Sequence, residues 1–183
     1  MQGTAIEPAS VVGFWREAGP ERWFTKDDAF DDAIRSRFEA DRAAALNGEL
    51  DHWEETPEGA LALILLLDQF SRNLHRGTAR AFEADGKALG IAERALAAGH
   101  DAIVEPALKV FFYLPFMHAE QLREQALCVR LCYPLRNDET LHYAREHEHI
   151  IRRFGRFPHR NDALGRHTSP AEEAYLDGGG FAG

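Results

Sequence analysis

Residues 56–70 read TPEGALALILLLDQF. Thr56 followed by Pro57 is a helix start, because a threonine oxygen can accept from an orphan N–H and the fixed φ of proline suits the first turn. From Ala60 to Phe70 the segment is apolar on nearly every side. A helix with no polar face must be covered by other elements, so this one is central and buried. The rest of the chain has to supply that cover.

It does so with amphipathic helices. Toward the N-terminus, Val11, Phe14, Trp15 and Ala18 recur at helical spacing after Pro8. Thr25 with Asp28 resembles a capping box, opening a helix along Phe30, Ala33, Ile34, Phe38 and Ala45 that ends at Gly48. Toward the C-terminus, Thr78 is the next cap, for a helix through Phe82, Leu89, Ala92 and Leu96 that Gly99 stops. Residues 109–118, KVFFYLPFMH, are apolar again, and Pro115 should kink or end a helix there. A helix through Leu122, Leu127 and Val129 runs toward Pro134. Asn137 or Asp138 caps another, through Leu141, Ala144, Ile151 and Phe154 to Gly155. Ser169, Pro170 and Glu172 form a capping box for a short last helix, and GGGFAG reads as a frayed tail. No alternating strand with hairpin turns occurs. The expectation is an all-α protein, one domain over residues 1–183 with a short frayed N-terminus. About seven to nine helices would pack as hairpins, in the manner of an α-hairpin solenoid.

Composition narrows the function classes. A chain of 183 residues can bury a real core, and 45% hydrophobic with 28% charged residues is globular composition. A net charge of −9 argues against a nucleic-acid surface. The N-terminal MQGTAIEPAS lacks the basic and apolar regions of a secretory leader. The longest aliphatic run, Leu61 to Leu67, is too short to span a bilayer. Cys128 and Cys132 lie one helical turn apart and read as small core residues in a reducing compartment, so the expected location is the cytoplasm. Charge is unevenly spread: segments 68–80 and 152–167 together carry eight Arg against two Asp.

Polar groups on apolar helix lines are the informative ones, because burying them unpartnered is costly. Asp68 interrupts the central helix, and Asp85 falls on the line of Phe82 and Leu89. His118 shares a face with Phe111 and Pro115, and Gln125 lies further along it. His147 stands with Tyr143, Ile150 and Phe154. Arg72 is four residues beyond Asp68, with Asn73, Arg76 and Arg80 following. After Gly155 an irregular segment carries Arg156, His159, Arg160, Asn161 and Arg166. Such side chains can satisfy the groups of an irregular backbone, or line a site. Like charges that converge need compensation, from Asp68 and Asp85 or from a bound anion.

Several chemistries lack their motif. Neither phosphate-loop pattern occurs, nor a nucleophile elbow. His147-Glu148-His149 is not the zinc-protease spacing, and His142, Glu146 and His149 share a charged face with Arg145, Arg152 and Arg153. No metal and no cofactor is expected.

Five stretches resemble a known family: Phe14-Trp15, Arg22 to Phe24 (RWF), Leu66 to Asp85 (LLDQFSRNLHRGTARAFEAD), Tyr113 to Glu120 (YLPFMHAE) and Arg153 to Arg166 (RFGRFPHRNDALGR). They are similar to the bacterial domain of unknown function 924, a helical family of tetratricopeptide-repeat-like fold. Ala119 stands where that family commonly has serine. The resemblance implies the fold and no activity. Its matched positions include Asp68, Arg72, Asn73, Arg76, Arg80, Asp85, His118, Arg156, His159, Arg160 and Asn161. With His147, these are the candidate ligand-binding residues. They point to a binding module for a small anionic molecule or a peptide, with no nucleic acid and no membrane. Two alternatives stay open: a hydrolase with His118 or His147 as base and Asp68 or Asp85 to orient it, and an interaction protein, with a protein partner, whose polar network is structural.

Overall fold

A computed structural model describes residues 6–183. The frayed N-terminus and the leader reading fall largely on residues 1–5, outside the described residues. The described chain holds α1 (Pro8–Ala18), α2 (Pro20–Trp23), α3 (Asp28–Asn47), α4 (Pro57–Ile64), α5 (Phe70–Leu74), α6 (Asp85–Ala97), α7 (Leu114–Met117), α8 (Leu122–Cys132), α9 (Asp138–Phe154) and α10 (Pro170–Asp177). Short 3₁₀ turns join several of them, and no strand occurs among the described residues. No helix among them is long and apolar enough to cross a membrane.

Two compact units make up the chain, although no linker separates them in the sequence. The first comprises the chain up to Arg76 with Arg80–Pro115, and the second Gly77–Ala79 with Phe116–Gly183.

In the first unit α4 is the hub, and α1 and α6 pack on it. Every residue from Ala60 to Leu67 is at most 1% exposed, as an all-apolar helix requires. Trp15 is wholly buried, its ring 5.5 Å from those of Phe70 and Phe111. Thr56 accepts from the Gly59 N–H at 3.1 Å, as its position before Pro57 predicts. Between α4 and α5 the hydrogen bonding widens to a π-helical turn over Leu65–Gln69. A π turn inserts one residue and swings the following side chains round the axis. This one carries Asp68.

Three expectations are corrected here. The cap of α3 is Asp27, which accepts from the Ala29 and Phe30 N–H groups, and not a Thr25–Asp28 box. Helix α6 starts at Asp85 rather than near Thr78, so Asp85 occupies a first turn, where a carboxylate suits the helix dipole. Residues Lys109–Phe112 form a 3₁₀ turn, and Pro115 falls at the start of the short α7, where a missing N–H costs nothing.

In the second unit α8 and α9 pack as a helical hairpin. Asn137 caps α9 and Gly155 ends it at φ 71°. The predicted Ser169–Glu172 capping box opens α10. Ile150, Ile151 and Phe157 form a small core, with Phe154, Tyr175 and Phe181 packed against it. The glycine-rich tail expected to fray therefore places one of its residues, Phe181, on that core.

Candidate functional site

The residues singled out by sequence fall into two groups, one in each unit. In the first unit, Asp68 is fully buried at the π turn, where Gln69 donates to one of its oxygens. Arg72, one turn on, reaches Asp68 at 3.2 Å and meets both oxygens of Asp85 at 3.1 Å. Arg76 forks onto Asp31 at 2.6 and 3.0 Å, and Asn73 donates to the same carboxylate at 2.6 Å. Burial alone would raise the Asp31 pKa, but these bonds and the Arg76 charge outweigh it and hold the carboxyl below its ordinary value. Arg80 lies 3.8 Å from Glu83, which also pairs with the buried Arg42 at 2.7 Å. Arg42 in turn donates to Ser71. All three Arg of the first basic segment thus face carboxylates, and the network is close to neutral.

Much of the second group is committed in the same way. Arg156 forks onto Glu172 at 2.6 and 2.8 Å and donates to the His167 carbonyl. That fork leads the causes holding the Glu172 carboxyl far below its ordinary range. Asn161, fully buried, accepts from Arg166 and donates to Thr168. Arg166 also forks onto Glu120 at 2.7 and 3.0 Å, and Glu120 accepts from the Phe157 N–H. These bonds staple the irregular backbone after Gly155, which has no helical ladder of its own.

The remaining groups gather around Phe157. His147, 6% exposed on α9, has its ring 6.4 Å from that of His118 and 5.3 Å from Phe157. His159 stands 5.6 Å from Phe157. The Arg160 guanidinium lies 4.5 Å from the Phe157 ring centre, a cation–π contact. His147 Nδ1 is 2.8 Å from the Tyr143 carbonyl. A carbonyl only accepts, so Nδ1 carries the proton and Nε2 keeps its lone pair. Burial pushes the His147 pKa down to about 3, helped by His118, His159 and Arg160 against the Tyr143 bond.

Gln125, also fully buried, donates to the Met117 and Ala119 carbonyls, tying α8 to the end of α7. Cys128 and Cys132 are buried and reduced, their sulfurs 3.8 Å apart. Among the described residues no three His, Cys, Asp or Glu side chains are grouped to hold a metal ion.

The partners of these Arg were not legible as a set. Asp31 and Arg42 sit three residues before Ile34 and four after Phe38, on the buried line of α3, which was the available signal. Glu120 lies in polar surroundings that hide it, and Glu172 was legible only as half of a capping box. Phe181 has no periodicity to announce it.

A family model described as "Bacterial protein of unknown function (DUF924)" matches residues 11–180. A solved structure of a protein of unknown function from Agrobacterium tumefaciens is 49% identical, covers 93% of this chain and 97% of its own, and superposes with a TM-score of 0.91. No curated protein matches.

Proposed function

This chain belongs to the bacterial DUF924 family, and we propose for it a binding function, with an anionic ligand held by His118, His159 and Arg160 and with the neutral His147 lining the site. The observation that carries this reading is their convergence around Phe157. Imidazole and guanidinium donors gathered on one apolar wall are suited to a carboxylate or phosphate, whose charge they would stabilise away from bulk water. Arg72, Arg76, Arg80 and Arg156 fork onto or face carboxylates and act as locks between segments. We assign Asp68, Asn73, Asp85 and Asn161 to the same structural role. The cytoplasm, with its small anionic metabolites, is the proposed location.

The hydrolase reading weakens at the groups it needs. An imidazole with a pKa near 3 is a poor general base at neutral pH. Asp68 and Asp85 are both spent on Arg72, and His147 is oriented by a backbone carbonyl.

Titration of phosphate or acetate into the labelled protein, followed by the histidine ring signals, tests the proposal. His118, His147 and His159 should shift together and saturably, and Arg160→Ala should abolish the response. Shifts that stay linear in anion concentration, or that survive Arg160→Ala, would overturn it.

A further inference from the structure

The corner between α8 and α9 presents a bare aromatic side chain. Tyr133, the residue after α8, is 68% exposed, and Pro134 beside it is exposed too. Next to them lies an open depression of about 580 Å³, lined by Tyr133, Pro134, Arg136, Asn137, Asp138 and Leu141. All six belong to the second unit, and Asn137 is committed to capping α9. Single exposed apolar side chains are ordinary on a protein surface. The charges around this one are not.

Arg130 and Arg136 make no ion pair and lie over no ring. Apart from Arg145 on α9, every other arginine among the described residues does one or the other. In a chain of net charge −9 carboxylates are in surplus, so an arginine without one is the exception. Asp138 lines the same depression as Arg136 and is equally unpaired. Arg136 is also the only non-glycine among the described residues with a positive φ, 53°, in the left-handed region. Helices α3 and α9 place a glycine in that conformation at their ends, where it costs nothing sterically. An arginine kept there against that cost, with no ion pair of its own, points to a use outside the chain.

We propose that this corner is a homodimer interface, in which two copies meet about a twofold axis and Tyr133 of each seats in the depression of the other. A twofold contact is isologous, so its patch must complement itself. This patch does: it offers an aromatic knob and a hole, and a cation, Arg136, two residues from an anion, Asp138. Across the axis Arg136 of one copy meets Asp138 of the other, and the reverse contact repeats it. Arg130, one turn before Tyr133 on α8, flanks the seated ring, and tyrosine with arginine is the pairing that interface centres favour. An acidic partner of another kind would suit Arg130 and Arg136 but be repelled by Asp138, whereas a second copy satisfies both signs. The charge of −9 on each copy is screened beyond about 10 Å in 0.1 M salt, which leaves the local pairs to decide. None of these residues belongs to the cluster around Phe157.

Sedimentation velocity of the full chain from about 1 to 200 µM tests this, a span that reaches the weak end of specific interfaces. The unaltered chain should dimerise. Arg136→Glu and Asp138→Arg should each weaken the dimer about tenfold or more, because each sets like charges across the axis. Mixed in equal amounts, the two variants should recover association as a heterodimer, since each copy supplies the charge the other lacks. A chain monomeric throughout overturns the proposal, as does a dimer that both variants leave intact, or a mixture that stays monomeric. A monomeric chain that binds phosphatidylglycerol vesicles, and loses them in Arg136→Glu, would make the corner a membrane face instead. Asp138 also supports the first turn of α9. Should Asp138→Arg not fold, Tyr133→Glu, at an exposed side chain, takes its place: it should abolish the dimer, and a dimer that persists overturns the proposal.

Discussion

Asp68 and His147 show two ways in which a polar side chain survives burial. Asp68 is enclosed by Arg72 and Gln69, whereas burial keeps His147 neutral, with His118, His159 and Arg160 adding to the effect. Removing Asp68 should leave Arg72 with Asp85 alone, in a site built for two carboxylates. Asp68→Ala is expected to destabilise by about 3 kcal/mol, the lower end for breaking a buried ionic group because one partner remains. Trp15, Trp23 and Trp53 all lie in the same unit as Asp68, so urea unfolding followed by tryptophan fluorescence reads this directly. A loss under about 0.5 kcal/mol, the size expected of a plain surface substitution, would show that the network is decorative. Both residues were legible in the sequence, because each interrupts an apolar helix line. Their partners were not. Asp31 is the clearest miss: Phe30, its neighbour, carries the visible apolar line and masks it.

Helix ends were the most readable elements, because a cap is a local contract between adjacent residues. Thr56, Asn137 and the Ser169–Glu172 box all bond as their spacing implies. The π turn was unreadable for the opposite reason: in an all-apolar helix a one-residue slip exposes nothing polar before Asp68. Gly59 is another feature that spacing cannot show. It sits in the first turn of α4, and a Cβ there would collide with the Trp53 carbonyl oxygen. In an open helix Gly→Ala stabilises by about 1 kcal/mol. Here the backbone of the preceding 3₁₀ turn blocks the methyl, and Gly59→Ala should instead destabilise by about 1–3 kcal/mol, as overpacking does. A melting temperature equal to or above that of the unaltered chain would refute the close approach. In the second unit, the Arg156–Glu172 fork joins the segment after α9 to the first turn of α10. Arg156→Ala should lower the melting temperature and leave phosphate binding unchanged. A variant that melts normally but loses phosphate would make Arg156 a ligand contact rather than a lock.

At the scale of the whole molecule, a chain of net charge −9 repels anions at long range. A local positive cluster can still hold one, because the distant charges are screened beyond about 10 Å in 0.1 M salt. The same groups set the acid response. His147 has a folded pKa of about 3 against roughly 6.5 unfolded. Between those values the unfolded chain binds a proton that the folded chain does not, so stability falls as pH falls from about 6.5. Asp31, Glu120 and Glu172 are held below their ordinary values, Asp31 and Glu120 against the opposing effect of burial and Glu172 chiefly by Arg156. Their contribution is intact above about pH 4.5 and is lost as pH drops through their folded values. Asp41, raised by burial, works weakly the other way. Acid destabilisation should therefore begin with the histidines, His75 adding to His147 because burial lowers its pKa too, and steepen once the carboxylates join. His147→Phe isolates the largest part of the first phase. One pKa unit corresponds to about 1.4 kcal/mol, so between pH 6.5 and 5 the unaltered chain should lose about 2 kcal/mol more than His147→Phe. Urea unfolding by far-UV circular dichroism at pH 7, 6 and 5 measures both. Parallel losses in the two proteins would mean that His147 takes up its proton freely in the folded state, and that the cluster around Phe157 and Phe181 stands open to water.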